Sequence, residues 1–323
     1  MHRVDPNRRM LLASAAGASL AGLTGCQRPE PLVRVATNAW VGYAPLFLAR
    51  ELGSFDTANL RLLELSSNSA SLMALASGQV EAAALTLDEL LVAREGRLDL
   101  QVLMVFDESA GADVVMVRPD ITHLARLRGR RIAVEDTATG ALMLSRTLAA
   151  AGLQPGDVTK VPLTGPMLAR GYERNDVDAV VCFEPYATHL AKLGAQRLID
   201  SSEFPGLIVD VLAARQSALA ASPQQFSQLV AGYFQAYSVL ETTPAQANTL
   251  MAPALGISAQ ELAQALKGVR MKSLGDNRAL LDGASPGLLP MAQTLSTLMR
   301  EASLLKTTPR LEGLLAPGFL PVA

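Results

Sequence analysis

The chain has 323 residues, half of them hydrophobic, and its 28 Lys and Arg residues nearly balance 30 Asp and Glu residues, for a net charge of −2. Without a basic excess, the composition argues against binding to nucleic acid, and the length allows two compact domains or one large one. After residue 25, no stretch approaches the roughly 18 uncharged apolar residues that indicate a membrane span.

The beginning of the chain has the layout of an export signal. Three arginines precede residue 10, and residues 10–25 are uncharged and mostly small or apolar, as in a secretory signal peptide; a buried first helix is the alternative. The sequence Leu-Thr-Gly-Cys at 23–26 resembles the lipobox of bacterial lipoproteins. That resemblance implies removal of residues 1–25 and lipidation of Cys26, which would anchor the protein to a membrane in the periplasm.

Two further consequences follow from this segment. The sequence Asn-Arg-Arg-Met-Leu-Leu at 7–12 resembles a twin-arginine export signal, although the usual serine before the arginines is missing, so this route stays open. If Cys26 is lipidated, Cys182 is the one cysteine left, and no disulfide is expected within the chain.

From residue 32 onward, short apolar runs alternate with helical patterns, which indicates parallel, helix-flanked sheets. The first unit has predicted strands at 32–37, 60–66, 81–86 and 100–106 and helices at 44–55, 69–79 and 87–96. The second has strands at 129–135, 159–164 and 177–184 and helices at 139–152 and 165–174. After a strand at 207–215 the chain is mostly helical, with helices at 224–241, 245–252, 258–269 and 288–305.

The order of these elements predicts two α/β lobes with a helical C-terminal tail packed on the first. We interpret 114–118 and 209–215 as the strands that cross to the second lobe and back. Residues 26–115 with 211–323 would form lobe 1, and 116–210 would form lobe 2. A cleft between two such lobes is a common place for a small ligand, and two crossing segments make a hinge.

Six segments together resemble the periplasmic solute-binding proteins of ABC importers, in the branch that binds nitrate, sulfonates, taurine and thiamine precursors. They are residues 38–55, 77–91, 102–117, 127–144, 175–190 and 201–215. The resemblance implies a type 2 periplasmic binding protein fold, closure over a small-molecule ligand, and delivery to a membrane permease and its ATPase. We expect a monomeric binding protein that is not an enzyme and has no cofactor and no metal.

Candidate ligand-binding residues lie where strands enter helices, because ligands of open α/β sheets bind beyond the carboxyl ends of strands. After the first strand, Trp40 is the single tryptophan of the chain and can stack on a planar or cationic ligand; alternatively it covers the sheet edge. Asn38 is a hydrogen-bonding candidate or a turn former, and Tyr43 is a contact or a packing residue. Thr86 and Asp88 flank a helix start, where either can serve as the N-cap.

The next junctions add acids. Asp107 and Asp113 lie near the predicted hinge, as ligand contacts or as solvated turn residues. A helix start after the strand ending at Glu135 can hold an anion through its free N–H groups, although Glu135 and Asp136 would repel one. The candidates at that start are Thr137, Thr139 and Gly140.

Two more acids complete the pattern. Glu184 follows a buried strand, and Asp210 lies within an otherwise apolar strand, where an acid needs a partner or a site. With no Lys or Arg at the same junctions, the acids favour a ligand that carries an amine, an amidine or a protonated heterocycle, such as a pyrimidine. Alternatively, half of them are caps or pair with Arg34, Arg131 or Arg215.

Three other functions remain open from sequence. The protein could bind an anion such as nitrate, a sulfonate or taurine, or it could be a lipoprotein that senses a ligand. The family also resembles a pyrimidine synthase that consumes its own histidine. Against catalysis, the chain lacks Cys/His metal spacing, G-x-S-x-G and a phosphate-binding loop, and its histidines are His2 in the signal and His123 and His189 in helical stretches.

Overall fold

The computed structural model of the protein describes residues 31–322, which form eleven strands and twelve α-helices. The strands are β1 (Val33–Thr37), β2 (Leu60–Glu64), β3 (Ala82–Thr86), β4 (Leu100–Ser109), β5 (Asp113–Val117), β6 (Arg131–Val134), β7 (Thr159–Pro162), β8 (Ala179–Phe183), β9 (Gln196–Asp200), β10 (Val209–Arg215) and β11 (Val269–Met271). The helices are α1 (Ala44–Glu51), α2 (Asn68–Ala76), α3 (Leu87–Glu95), α4 (Ala138–Ala150), α5 (Pro166–Glu173), α6 (Tyr186–Lys192), α7 (Gln216–Ala221), α8 (Pro223–Thr242), α9 (Pro244–Met251), α10 (Ala259–Ala265), α11 (Leu274–Leu281) and α12 (Leu288–Glu301). Short 3₁₀ helices span Val41–Tyr43, Leu124–Leu127, Pro155–Asp157, Ser201–Glu203, Ala252–Leu255, Leu266–Gly268 and Pro317–Phe319.

The strands form two separate sheets. The first has the order β11–β4–β10–β3–β1–β2, and the second has the order β7–β6–β8–β5–β9. In the first, β3 is buried along its whole length, which explains why its sequence is a continuous apolar run rather than an alternating one.

Both sheets are mixed, whereas the sequence predicted parallel pairing. β1 is parallel to β2 and β3, and β6 is parallel to β7 and β8. However, β10 lies antiparallel between β3 and β4, and β5 lies antiparallel between β8 and β9. Both strands come directly after the chain has passed from one sheet to the other. Each therefore enters its new sheet in the direction opposite to that of its neighbouring strands.

The chain passes between the sheets twice, between Ser109 and Asp113 and again between Asp200 and Val209. The two passages touch, because the hydroxyls of Ser109 and Ser201 lie 2.8 Å apart and the Gly111 amide donates to Ser201 Oγ at 2.7 Å. Two α/β units linked by two adjacent passages agree with the predicted fold class.

The helices after β10 lie beside the first sheet. α8 packs on α1, and α12 packs on α3. The sequence of α8 accounts for this: Pro223 occupies its first turn, where a missing N–H does no harm, and residues spaced by three and four are buried. They are Phe226, Leu229, Val230 and Tyr233.

The predicted signal peptide and Cys26 lie outside the described residues. Within residues 31–322, none of the helices combines the length and the apolar character that crossing a membrane requires.

Candidate functional site

A narrow cavity lies between the two sheets, beside the passages that connect them. Its volume is about 30 Å³, room for one or two waters, so a larger ligand requires the sheets to separate. Ten of the thirteen predicted ligand-binding residues line it: Asn38, Trp40, Tyr43, Thr86, Asp113, Glu135, Thr137, Thr139, Gly140 and Asp210.

The loop after β1 forms one wall through a chain of local hydrogen bonds. The Trp40 amide donates to Asn38 Oδ1 at 3.0 Å, and the Asn38 amide group donates to Asn68 Oδ1 at the start of α2. Trp40 is only 4% exposed, and its ring meets that of Phe183, from the second sheet, edge to face at 5.9 Å. The Trp40 ring therefore spans the space between the two sheets.

A hydrogen-bonded bridge crosses the cavity at Thr139. Its hydroxyl lies 2.8 Å from Thr86 Oγ1 and donates to Asp88 Oδ2 at 2.9 Å. Thr86 is the N-cap of α3, and its amide donates to Glu89 Oε2 at 3.4 Å. Asp88 is therefore a contact of Thr139 rather than the N-cap, and it lies behind the cavity wall.

The start of α4 presents a different environment from that of a simple anion site. The Gly140 amide donates to Thr137 Oγ1 at 3.0 Å, so one of the free N–H groups already has a partner. Beside it, Glu135 is buried, accepts a hydrogen bond from Ser67 and has no partner for Oε1. Burial raises the pKa of Glu135 to about 7.

Three aspartates lie in the floor of the cavity or directly behind it. Asp210 accepts a hydrogen bond from Tyr43 Oη at 2.5 Å through Oδ1, and its Oδ2 has no partner. Asp113 lines the cavity with an unpartnered Oδ2, and burial raises its pKa to about 7. Asp107 lies behind the wall, where its Oδ2 accepts from Trp40 Nε1 at 3.3 Å. The floor is thus acidic and largely cut off from water.

Gly42 makes room for this floor. A β-carbon at this position would lie 2.0 Å from Asp107 Oδ2 and 2.3 Å from Trp40 Nε1. Because those distances are far below van der Waals contact, only glycine allows Trp40 and Asp107 to approach each other across it.

Glu184 lies away from the cavity. Its carboxylate pairs with Arg197 at 2.8 Å and accepts from the Thr188 hydroxyl at 2.7 Å. Arg197 lies in β9, a strand that the sequence analysis did not predict, so this partner was not foreseen.

The arginines considered as alternative partners for the cavity acids pair elsewhere. Arg34 and Arg215 lie against Glu81, and Arg131 pairs with Asp178. Among the residues described, none of the five acids at or behind the cavity forms an ion pair within 4.0 Å; they are Asp88, Asp107, Asp113, Glu135 and Asp210.

Comparison with known proteins identifies the family and supports the fold. Residues 27–255 match the sequence profile of the NMT1-like family. The chain belongs to the NMT1-like family. It is 29% identical over 168 residues to the taurine-binding periplasmic protein of Escherichia coli K12. That alignment covers 52% of this chain and 51% of the relative, so the match spans about half the length of that protein.

Solved structures share the fold of this NMT1-like protein. The alkanesulfonate-binding protein SsuA of Xanthomonas axonopodis pv. citri, bound to MOPS, superposes with a TM-score of 0.74 at 19% identity, over 90% of this chain and 99% of that one. The SsuA of Escherichia coli gives 0.69 at 20% identity, over 89% and 97%. The desulfurization enzyme DSZB gives 0.66 at 20% identity, over 90% and 98%. The predicted family and the predicted fold class are confirmed.

Seven lining residues of the NMT1-like protein were missed from sequence: Asn68, Met143, Leu168, Val181, Cys182, Phe183 and Ile208. Six of them have apolar or weakly polar side chains, and a search for polar residues at strand ends does not find those. A signal did exist for Asn68, because it follows two serines directly before a helix, at a strand-to-helix junction like the others.

Proposed function

We propose that this protein is the solute-binding component of an ABC importer and that its cleft binds a small molecule with a cationic or N–H-rich group. The observation that carries the ligand class is the set of buried acids at the cavity. No Lys or Arg of the described residues lines that cavity.

Burial makes these acids expensive to ionise without a compensating charge. Oxygen atoms of Asp113, Glu135 and Asp210 have no hydrogen-bond partner in the cavity wall. An ammonium or amidinium group supplies both the missing donors and the missing positive charge. A planar cation gains a further contact from Trp40, whose aromatic face attracts positive charge.

The transport role rests on the family and on the architecture. Of the proteins named above, the Escherichia coli relative is a taurine-binding periplasmic protein and the Xanthomonas SsuA is an alkanesulfonate-binding protein. Two sheets joined by two passages suit a hinge, with residues 26–115 and 211–323 moving against 116–210. In this proposal, Cys26 carries the lipid anchor, the monomer stays in the periplasm, and the closed form delivers ligand to a permease and its ATPase.

An anion remains the second candidate, and the named relatives favour it. Taurine itself carries an ammonium group as well as a sulfonate, so an aminosulfonate would place its positive end among the acids. Its negative end would then need donors, which the start of α4 provides, together with the protonated form of Glu135 at a pH below about 7.

An enzymatic role has less support, although DSZB shares the fold. Cys182 lines the cavity as a free cysteine, but burial raises its thiol pKa well above the ordinary value. A thiol reacts as a nucleophile through its thiolate, so this environment suppresses the reactive form. The histidines among the described residues, His123 and His189, are not part of the cavity lining.

The charge of the ligand is tested by titration with cations and anions, among which benzamidine and benzenesulfonate are similar in shape. Benzamidine, benzylamine, benzenesulfonate, taurine and nitrate are titrated calorimetrically into the protein that begins after Cys26. We expect the cations to bind and to change Trp40 fluorescence. Asp113→Asn and Asp210→Asn should each weaken binding by at least about tenfold, which is the loss of roughly 1.4 kcal/mol.

The control is Asp178→Asn, because Asp178 pairs with Arg131 away from the cavity. This variant should bind like the wild type. If only the anions bind and the cations give no response, the proposed ligand class is wrong, and the second candidate, an anion, remains.

A further inference from the structure

Asp107 and Asp210 face each other on neighbouring strands below the cavity. They are register partners in the antiparallel pair of β4 and β10, next to a shift in the pairing. Both are almost fully buried, at 0% and 2% exposure; burial raises the pKa of Asp210, and the charge of Asp107 raises it further. Residues directly opposite each other in an antiparallel pair have their β-carbons about 4.5–5.5 Å apart, so the two carboxyl groups are close enough to share one proton.

Other contacts hold the pair in place. Tyr43 Oη donates to Asp210 Oδ1 at 2.5 Å, and Trp40 Nε1 donates to Asp107 Oδ2 at 3.3 Å. Each carboxyl keeps one oxygen without a hydrogen-bond partner among the described residues, Oδ1 of Asp107 and Oδ2 of Asp210. Asp210 also lines the cavity, so the pair is connected to the place where a ligand enters.

The charges around the pair are mostly negative. The titratable groups that interact with it from the surrounding elements are Tyr43, Asp88, Asp113, Tyr233 and Lys272, and Glu89 acts on Tyr43. Lys272 is the one cation among them, and its Nζ is engaged with Glu108 at 3.2 Å. Two adjacent carboxylates in such a site cannot both ionise at modest cost.

We propose that Asp107 and Asp210 share one proton in the ligand-free protein and select for a cation, because a positive group entering the cleft allows the pair to release that proton. This inference rests on the proposed function, since it requires a cationic ligand. No covalent bond forms or breaks: the O–H proton leaves to water, the pair becomes dianionic, and the positive charge of the ligand replaces that of the proton.

Proton release makes binding depend on pH. A ligand of fixed positive charge that displaces one proton gains about tenfold in affinity per pH unit while the pair is protonated, by linkage. A neutral ligand of the same shape displaces no proton and lacks this dependence. Asp210 is then a direct ligand contact, and Asp107 is a positioning residue that acts through Asp210.

The shared proton is tested without ligand, in the full-length protein purified in detergent. Infrared difference spectra near neutral pH compare the wild type with the double variant Asp107→Asn/Asp210→Asn, which removes both carboxyl groups. We expect the variant to lose the band intensity of one protonated carboxyl. If the variant loses no such intensity, or the intensity of two protonated carboxyls, Asp107 and Asp210 do not share one proton. Asp99→Asn, at an exposed position before β4, is the control and should lose none.

Proton release from the pair on ligand binding is tested with benzamidine, because its amidinium group stays protonated across the neutral pH range. Calorimetry in phosphate and in Tris, which differ in heat of ionisation, gives the number of protons exchanged. We expect about one proton released by the wild type and about none by the double variant, with at least about tenfold weaker binding in the variant.

The outcomes distinguish the role of Asp107 and Asp210 from the proposed function. Benzamidine binding without proton release, or with release that persists in the double variant, overturns the role of the pair and leaves the proposed function intact. If benzamidine and benzylamine fail to bind while benzenesulfonate binds, the proposed cationic ligand is wrong, and with it the selecting role.

Discussion

Asp113→Asn tests whether the cavity acids are buried in their protonated form. Burial raises the pKa of Asp113 from its ordinary 3.8 to about 7, so the folded protein binds a proton that the unfolded chain has already lost. Stability from this group is complete below the unfolded value and is lost as pH rises through about 7. The difference of about three pKa units corresponds to about 4 kcal/mol.

Asparagine mimics the protonated acid in shape but does not ionise. We therefore expect the variant and the wild type to be equally stable near pH 4. The variant should become the more stable protein as pH rises, by about 1.4 kcal/mol per unit at most. Urea denaturation followed by circular dichroism at several pH values between about 4 and 8 measures this difference.

Asp178→Asn is the matched control with the opposite sign. Arg131 pairs with Asp178, and its hydrogen bonds hold the pKa of that carboxyl below its usual value despite the opposing effect of burial. Stability from Asp178 is present above the unfolded pKa and is lost as pH falls, so this variant should be the weaker protein at neutral pH. If Asp113→Asn parallels the wild type at every pH, Asp113 ionises freely and the reasoning fails.

Three other changes test separate features. Gly42→Ala should destabilise the protein by about 1–3 kcal/mol and shift the Trp40 emission, because the new methyl group collides with Asp107 and Trp40; Gly156→Ala, where a β-carbon meets nothing within 4 Å, should do neither. Asn277→Ala should lower the free energy of unfolding by about 2–4 kcal/mol, since the buried Asn277 side chain pairs both the N–H and the C=O of Val105, at 2.7 and 2.9 Å; an effect no larger than that of the exposed Gln293→Ala would contradict it. Cys26→Ser should yield an unlipidated protein that leaves the membrane fraction, and a variant that stays there and migrates like the wild type would disprove the lipobox reading.

Much of the site could be read from the order of strands and helices. Asn38 and Thr86 lie at the ends of β1 and β3, which run in the same direction in the first sheet, so they could be placed at one edge of that sheet without any knowledge of the packing. Likewise, Trp40 could be predicted as a site residue because it lies in a short loop directly after a strand. A large aromatic side chain there either contacts a ligand or covers the edge of the sheet.

The strands that were not predicted and the wrong assignment of Glu184 also have physical causes. No residue of β9 is buried, and β11 has three residues, of which only Val269 is buried, so neither shows the apolar run or the clean alternation that marks a strand. The partner of Glu184 lies in β9, and that acid was therefore assigned to the cleft although Arg197 holds it outside.

The sequence by itself determined the alternation of strands and helices, the family, and the gathering of acids at strand ends, because periodicity and junction position are local properties. Only the tertiary structure decided which acids meet. Asp107 and Asp210 are about a hundred residues apart in sequence and become neighbours because β10 inserts antiparallel beside β4. Whether a carboxyl is exposed, ion-paired like Glu184 or placed opposite a second acid depends on which strands become its neighbours in the folded sheet, and a local sequence pattern does not contain that information.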